Sequence, residues 1–230
     1  MTKLRIKIIL TAALLLLPFA AWSQKQIYTR SYMIRDFKGK TTKVVLDESC
    51  PLSTMLRQEV SLLWSVSPYE FCGPDEYESR KNSPECYFLR PEIRKGLFFL
   101  TLSRGGAKDA ADALKRPVEI ISIPVAGVSD PAAGECVYMP AFISMIQDFT
   151  EAAMDSELAA YRGLNAVRKR RPLDVRLVTG SEEAREAFLT HDVCAAVQVL
   201  VSPDGSPASK PRYRYVIGAG NYELYSYGKN

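Results

Sequence analysis

Residues 43–89, KVVLDESCPLSTMLRQEVSLLWSVSPYEFCGPDEYESRKNSPECYFL, carry the pattern that decides the fold. Lys43 to Leu46 is a short apolar strand. The turn Asp47 to Pro51 leads into a helix whose Leu52, Leu56, Val60 and Leu63 recur at helical spacing, with Trp64 adding bulk to that face. Tyr69-Glu70-Phe71-Cys72 is a second strand, broken by Gly73-Pro74. Pro74, Asp75, Glu76 and Glu78 then open a second helix, because proline fits a first turn and carboxylates favour the positive end of the helix dipole. Ser83-Pro84 closes that helix, and Cys86-Tyr87-Phe88-Leu89 is the third strand. Alternation of this kind belongs to a sheet with helices packed on it. The expected class is α/β, with a mixed, largely parallel central sheet, helices packed on it and a C-terminal antiparallel β-hairpin.

Toward the C-terminus, Leu97 to Leu102 and Val118 to Val125 are apolar runs suited to buried central strands. Arg104-Gly105-Gly106 and an Ala-rich helix, Ala107 to Leu114, separate them. Val137 to Tyr161 predicts one long helix, with Met139, Phe142, Ile146, Phe149, Ala153 and Met154 near one face and Pro140 in its first turn. Strand Val175–Val178, helix Ser181–Thr190 and strand Ala195–Val201 make another β-α-β unit. No internal sequence repeat is visible, but the two β-α-β stretches are candidates for related halves. In the terminal hairpin, pairing Gly218 with Asn221 sets Ile217 against Tyr222, Tyr215 against Leu224 and Tyr213 against Ser226 on one face. Val216/Glu223, Arg214/Tyr225 and Arg212/Tyr227 fall on the other. Ala219-Gly220 is not a preferred two-residue turn, so a looser loop is an alternative.

Toward the N-terminus, residues 24–42 are polar and weakly patterned, a leader into a single α/β domain over 43–230. Residues 1–23 read as a signal peptide: Lys3, Arg5 and Lys7 precede the apolar run Ile8–Ala21, and Ala21 and Ser23 are the small residues that favour cleavage before Gln24. The apolar run is shorter than the roughly 20 residues a membrane span needs, so no span is expected in the mature chain. Export to the periplasm or the extracellular space is the expected destination. The leader holds three of the 30 basic residues and none of the 26 acidic ones, which leaves the remainder nearly neutral. A global electrostatic case for nucleic-acid binding fails with it, and no nucleic-acid partner is expected.

Five cysteines, Cys50, Cys72, Cys86, Cys136 and Cys194, lie beyond that leader, an odd number that leaves at least one thiol free or paired between chains. None has metal-ligand spacing and the chain has one histidine, so neither a metal nor a cofactor is expected. Cys72 ends one strand and Cys86 begins the next; in a parallel crossover these are opposite edges of the sheet, so they are expected not to be bonded to each other. Cys50, before Pro51 at a helix start, is the candidate nucleophile, with His191 as its only histidine base; the plainer alternative is a buried or bonded cysteine. His191-Asp192 closes a helix, where a histidine commonly complements the dipole. No G-x-S-x-G serine context occurs. Arg168, Lys169, Arg170 and Arg171 are the candidate anion-binding cluster, against a solvated helix end. Tyr213, Tyr215, Tyr222, Tyr225 and Tyr227 crowd the last 18 residues. Tyr225 and Tyr227 with Arg212 and Arg214 are the candidate ligand-binding set for sugars or bases, against ordinary strand packing.

The block Ser67-Pro-Tyr-Glu-Phe-Cys-Gly-Pro-Asp-Glu-Tyr-Glu78, followed by Cys86-Tyr-Phe-Leu89, resembles uncharacterised exported proteins of Bacteroidota-type bacteria over residues 40–90. The resemblance implies a periplasmic or surface location in a two-membrane cell, and it brings no activity, cofactor or site residue with it. Two functional hypotheses follow. The first is a non-enzymatic envelope module that binds a protein partner or an anionic or glycan ligand through a sheet edge or the Tyr-rich hairpin. The second is a thiol- or histidine-dependent hydrolase built on Cys50 or His191.

Overall fold

Val44 and Val45 point to opposite faces of β1 (Thr42–Val45), and that alternation organises the first half of the molecule. A computed structural model describes residues 29–106, 117–129 and 135–230. The expected signal segment 1–23 and the helix Ala107–Leu114 lie outside the described residues. On the Val44 face, α1 (Ser53–Leu63) buries Leu56 and Val60 and returns the chain to β2 (Tyr69–Cys72), parallel to β1. On the Val45 face, α2 (Pro74–Arg80) sets Tyr77 edge-on to Phe88 and delivers β3 (Tyr87–Arg94) to the other side of β1, again parallel.

The sheet is mixed, and the expectation of a largely parallel one is corrected here. After β3 the chain turns at Lys95-Gly96, whose φ angles of 52° and 74° form a two-residue hairpin. Such a turn returns the strand antiparallel, so β4 (Leu97–Arg104) and then β5 (Val118–Gly127) complete the order β2-β1-β3-β4-β5. In the second sheet, β6 (Arg176–Val178) passes through α5 (Ser181–Leu189, preceded by α3 at Met139–Asp155 and α4 at Glu157–Arg162) to a parallel β7 (Ala195–Val201). Antiparallel β8 (Tyr213–Gly218) and β9 (Leu224–Lys229) follow. The two sheets share one plan. In β1-β3-β4-β5 and in β6-β7-β8-β9 a first strand runs parallel to the second and two antiparallel strands follow, the first half carrying β2 as an addition in its crossover.

Both sheets bury their inner faces against α3 (Met139–Asp155), on which Phe142, Ile146 and Phe149 are fully buried. Phe142 meets Tyr215 of β8 with ring centroids 5.3 Å apart. Gln147 of α3 donates to the Leu63 carbonyl and accepts from the Ser65 amide, pinning the end of α1. The helix expected over 137–161 is broken: Ser156 is extended, and its hydroxyl accepts from the Ala159 amide, capping α4 (Glu157–Arg162).

Two further expectations are corrected. From Thr29 onward the leader belongs to the fold, since Ile34 and Phe37, held by 3-10 turns at Ser31–Met33 and Phe37–Gly39, are fully buried in the main core. The hairpin register also differs: Ile217 pairs with Leu224, Val216 with Ser226, Tyr215 with Tyr227 and Tyr213 with Lys229. The chain does not close on Ala219-Gly220. Instead Gly218 donates to the Glu223 carbonyl across a wider loop in which Tyr222 adopts φ 60°, and a bulge at Tyr225 turns that ring to the outer face.

Candidate functional site

The fold disperses the residues singled out in the sequence. Cys50 is half-buried in the β1–α1 turn, which is shaped locally: Asp47 accepts from the Ser49 amide and hydroxyl, and Ser53 donates back to the Asp47 carbonyl. It lines two open clefts at the carboxyl ends of β1 and β2, one of about 560 Å³ shared with Arg90 and Arg94, and neither wall includes a histidine. His191 belongs to the other half. It sits at φ 53° as the residue that ends α5, its amide donating to Phe188 while the next amide donates to Ala187, and Tyr222 is its hydrogen-bond partner at 3.3 Å. Cys50 and His191 therefore do not form a nucleophile and base pair. Cys50, Cys72, Cys86 and Cys194 carry free thiols, so Cys72 and Cys86 are not bonded to each other.

The basic cluster and the hairpin, by contrast, are brought together. The Lys169 amide donates to the carbonyl of Leu224, the first residue of β9, at 2.6 Å, and its ammonium reaches Glu223 at 2.7 Å and the Tyr225 hydroxyl at 3.2 Å. The Glu223 hydrogen bond, then Tyr225, hold the Lys169 pKa above its ordinary value. Arg168, Arg170 and Arg171 are exposed beyond it, following the 3-10 turn Gly163–Asn165 that succeeds α4, and the Arg168 amide donates to the Leu164 carbonyl at 3.1 Å. Tyr225 is buried against Ala196 and Val216, and Tyr227 turns to the opposite face, 5.2 Å from Tyr215. Arg212 donates to the Pro207 carbonyl and Arg214 is exposed. Arg212, Arg214, Tyr225 and Tyr227 thus do not share one stacking platform.

With these sets placed, the sheet edges distinguish themselves. At β5 the Pro124 carbonyl accepts from the buried Tyr215 hydroxyl at 2.9 Å, and the end of the strand lies against Ser202 and Pro203. At β9 the Lys169 amide occupies the carbonyl of Leu224, the first residue of the strand, and β6 is three residues long. At β2 no strand pairs the outer side among the described residues. Thr42 donates to the Pro68 carbonyl and Leu46 to that of Cys72, so the parallel alternation turns Pro68, Glu70 and Cys72 toward β1 and directs the N–H and C=O of Tyr69 and Phe71 outward.

Side chains stiffen that edge. Tyr69 and Phe71 pack edge-to-face at 5.5 Å, and the Arg57 guanidinium lies 4.7 Å over the Phe71 ring. On the other face the buried Lys43 ammonium binds both Glu70 and Glu76. The Glu70 hydrogen bond, followed by that to Glu76, raises the Lys43 pKa, and the same bond lowers that of Glu70. The alternating Tyr-Glu-Phe-Cys run is readable as a strand in sequence. Its position at an open edge is not, because that depends on which strands pair elsewhere.

Among the described residues no three His, Cys, Asp or Glu side chains converge as metal ligands, and no helix is long and apolar enough to cross a membrane. No protein-family model, curated protein or solved structure matches this chain.

Proposed function

We propose that the chain is an exported, non-enzymatic module of the cell envelope that takes up an extended segment of a partner protein along β2. The observation that carries this reading is the row of outward-facing backbone groups at Tyr69 and Phe71, set beside an aromatic pair. A bare edge of this kind is a template for strand addition, in which main-chain hydrogen bonds supply affinity and side-chain contacts supply choice. Glu70 favours a different chain over a second copy, because antiparallel self-pairing centred there would oppose two carboxylates directly. Four backbone hydrogen bonds at about 1 kcal/mol each correspond to only about millimolar affinity, so the aromatic face must contribute the rest and the contact is transient by design.

A transient contact is best caught covalently in its own compartment. A photo-crosslinking amino acid at Glu70, in cells of the native host, should give a discrete adduct that the same group at exposed Leu62 of α1 does not. Phe71→Pro removes one outward N–H and no bond to β1, a change tolerated at an edge, and should abolish the adduct while the fold persists by circular dichroism. Adducts of equal yield at both positions, or an adduct that survives Phe71→Pro, would overturn the reading. Terminal sequencing of the same material tests export, for which the expected N-terminus is Gln24.

A further inference from the structure

The outer face of the first sheet, beside α2, holds a polar groove of about 340 Å³ that neither the sequence candidates nor the β2 edge accounts for. Past Leu89, β3 places Arg90, Glu92 and Arg94 on this face, and the register sets Arg90 opposite Thr101 and Phe88 opposite Ser103 on β4. Glu92 is saturated: it accepts from Arg90, from Arg94 and, at 3.2 Å, from the Thr101 hydroxyl. Arg94 also reaches Glu119 at 2.8 Å, and Arg90 lies 4.6 Å over the Tyr77 ring.

Two groups in the same walls have no such partner. The Arg90 Nε–H and the Ser103 hydroxyl are both shut off from bulk water and make no hydrogen bond among the described residues, and Ser103 is only 4% exposed. Native folds rarely leave buried donors idle, and here two sit on neighbouring strands and line one groove. Glu92 and Glu119 are already engaged by Arg90 and Arg94, whereas the Arg90 Nε–H can only donate and the Ser103 hydroxyl is free to do so. A ligand that only accepts is the complement.

We infer that this groove is a binding site for a small oxyanion group, a carboxylate or a phosphate, with the Arg90 Nε–H and the Ser103 hydroxyl as its donors. The site lies on a different face from the aromatic pair of β2 and stands or falls separately from the edge contact.

The test titrates the purified chain with inorganic phosphate and, separately, with glucuronate, following thermal unfolding and amide chemical shifts, with sodium chloride as the ionic-strength control. A saturable rise in melting temperature with phosphate alone assigns a phosphoryl group, with glucuronate alone a carboxylate, and with both the shared oxyanion chemistry. Ser103→Ala is the discriminating variant. By deleting an unpaired buried hydroxyl it should raise the melting temperature of the ligand-free chain, yet bind about tenfold more weakly, the loss of one charge-assisted hydrogen bond. Arg90→Lys keeps the charge, loses the guanidinium geometry and should weaken binding as well. No saturable response to either anion, an equal response to sodium chloride, unchanged binding in both variants, or a Ser103→Ala chain less stable without ligand would each overturn the inference.

Discussion

Replacing Tyr87 with Phe isolates what fastens the N-terminal segment to the first sheet. The fully buried Tyr87 side chain donates to Asp36 Oδ1 at 2.5 Å and lies 3.2 Å from the Met33 carbonyl, while Arg104 reaches the same carbonyl at 2.8 Å and the other Asp36 oxygen at 3.1 Å. Removing the hydroxyl leaves the ring, its volume and its edge-on contact with Phe37 at 4.6 Å, so no cavity is created. What is lost is a hydrogen bond to a charged acceptor, in the range of about 1.5–3 kcal/mol. Because the Asp36 side chain is 38% exposed, water takes over part of the role, and the lower half of that range applies, about 2 kcal/mol. For a chain of this size that is a fall in Tm of about 4–8 °C. Urea and thermal unfolding near neutral pH measure it directly.

The pH dependence supplies a second reading of the same bond. Burial alone raises the Asp36 pKa, and the Tyr87 hydroxyl, Lys40 and Arg104 outweigh it, holding the carboxyl below its ordinary value. A carboxyl lowered in the folded state stabilises above its unfolded pKa of about 4, and that stabilisation is lost as pH falls through the folded value. In Tyr87→Phe the folded pKa moves back up, so acid unfolding should begin at higher pH, and the gap between the two chains should narrow once Asp36 is protonated in both. A Tyr87→Phe chain within about 0.5 kcal/mol of the parent at neutral pH, with an unmoved acid limb, would refute the account.

Gly127→Ala should cost about 3 kcal/mol in urea unfolding, because its Cβ would stand 2.5 Å from the Ser202 carbonyl oxygen and 2.8 Å from that of Pro203, both backbone atoms that cannot swing aside. Iodoacetamide at pH 8 followed by peptide mapping should label the exposed Cys194 first and spare Cys72 until the chain unfolds. Burial, then the nearby Glu76, push the Cys72 thiol up to about 11, leaving a thiolate fraction of about one in a thousand at that pH.

Much of the secondary structure was legible in the chain. Leu52, Leu56 and Val60 announced α1, the Gly73-Pro74 break separated β2 from α2, and the β-α-β alternation at both ends of the chain is present. Where the structure departs from the local pattern, the physical cause is identifiable. The Lys95-Gly96 hairpin turn follows the charged stretch Arg90–Arg94, which lacks an apolar strand pattern although it continues β3, so the antiparallel return is not announced locally. Ser156 interrupts a helical pattern that is apolar on both sides of it, and Ile34 and Phe37 are too few to stand out in a polar stretch, although each is fully buried. The tyrosine-rich hairpin was visible as a cluster, but the bulge that sends Tyr225 and Tyr227 to opposite faces was not.

Periodicity, capping and turn chemistry act over a few residues, so the sequence by itself determined where helices and strands form. Which edge stays bare, and which donors end up idle, was decided only in three dimensions. The backbone of Tyr69 and Phe71 faces outward because β1 is flanked on its other side by β3, while one carbonyl of β5 and one of β9 are taken by Tyr215 and Lys169 from far along the chain. Arg90 and Ser103 line one groove because the antiparallel register sets Arg90 opposite Thr101 and Phe88 opposite Ser103. Hydrogen-bond satisfaction is a property of the whole set of pairings, and no local window of sequence contains it.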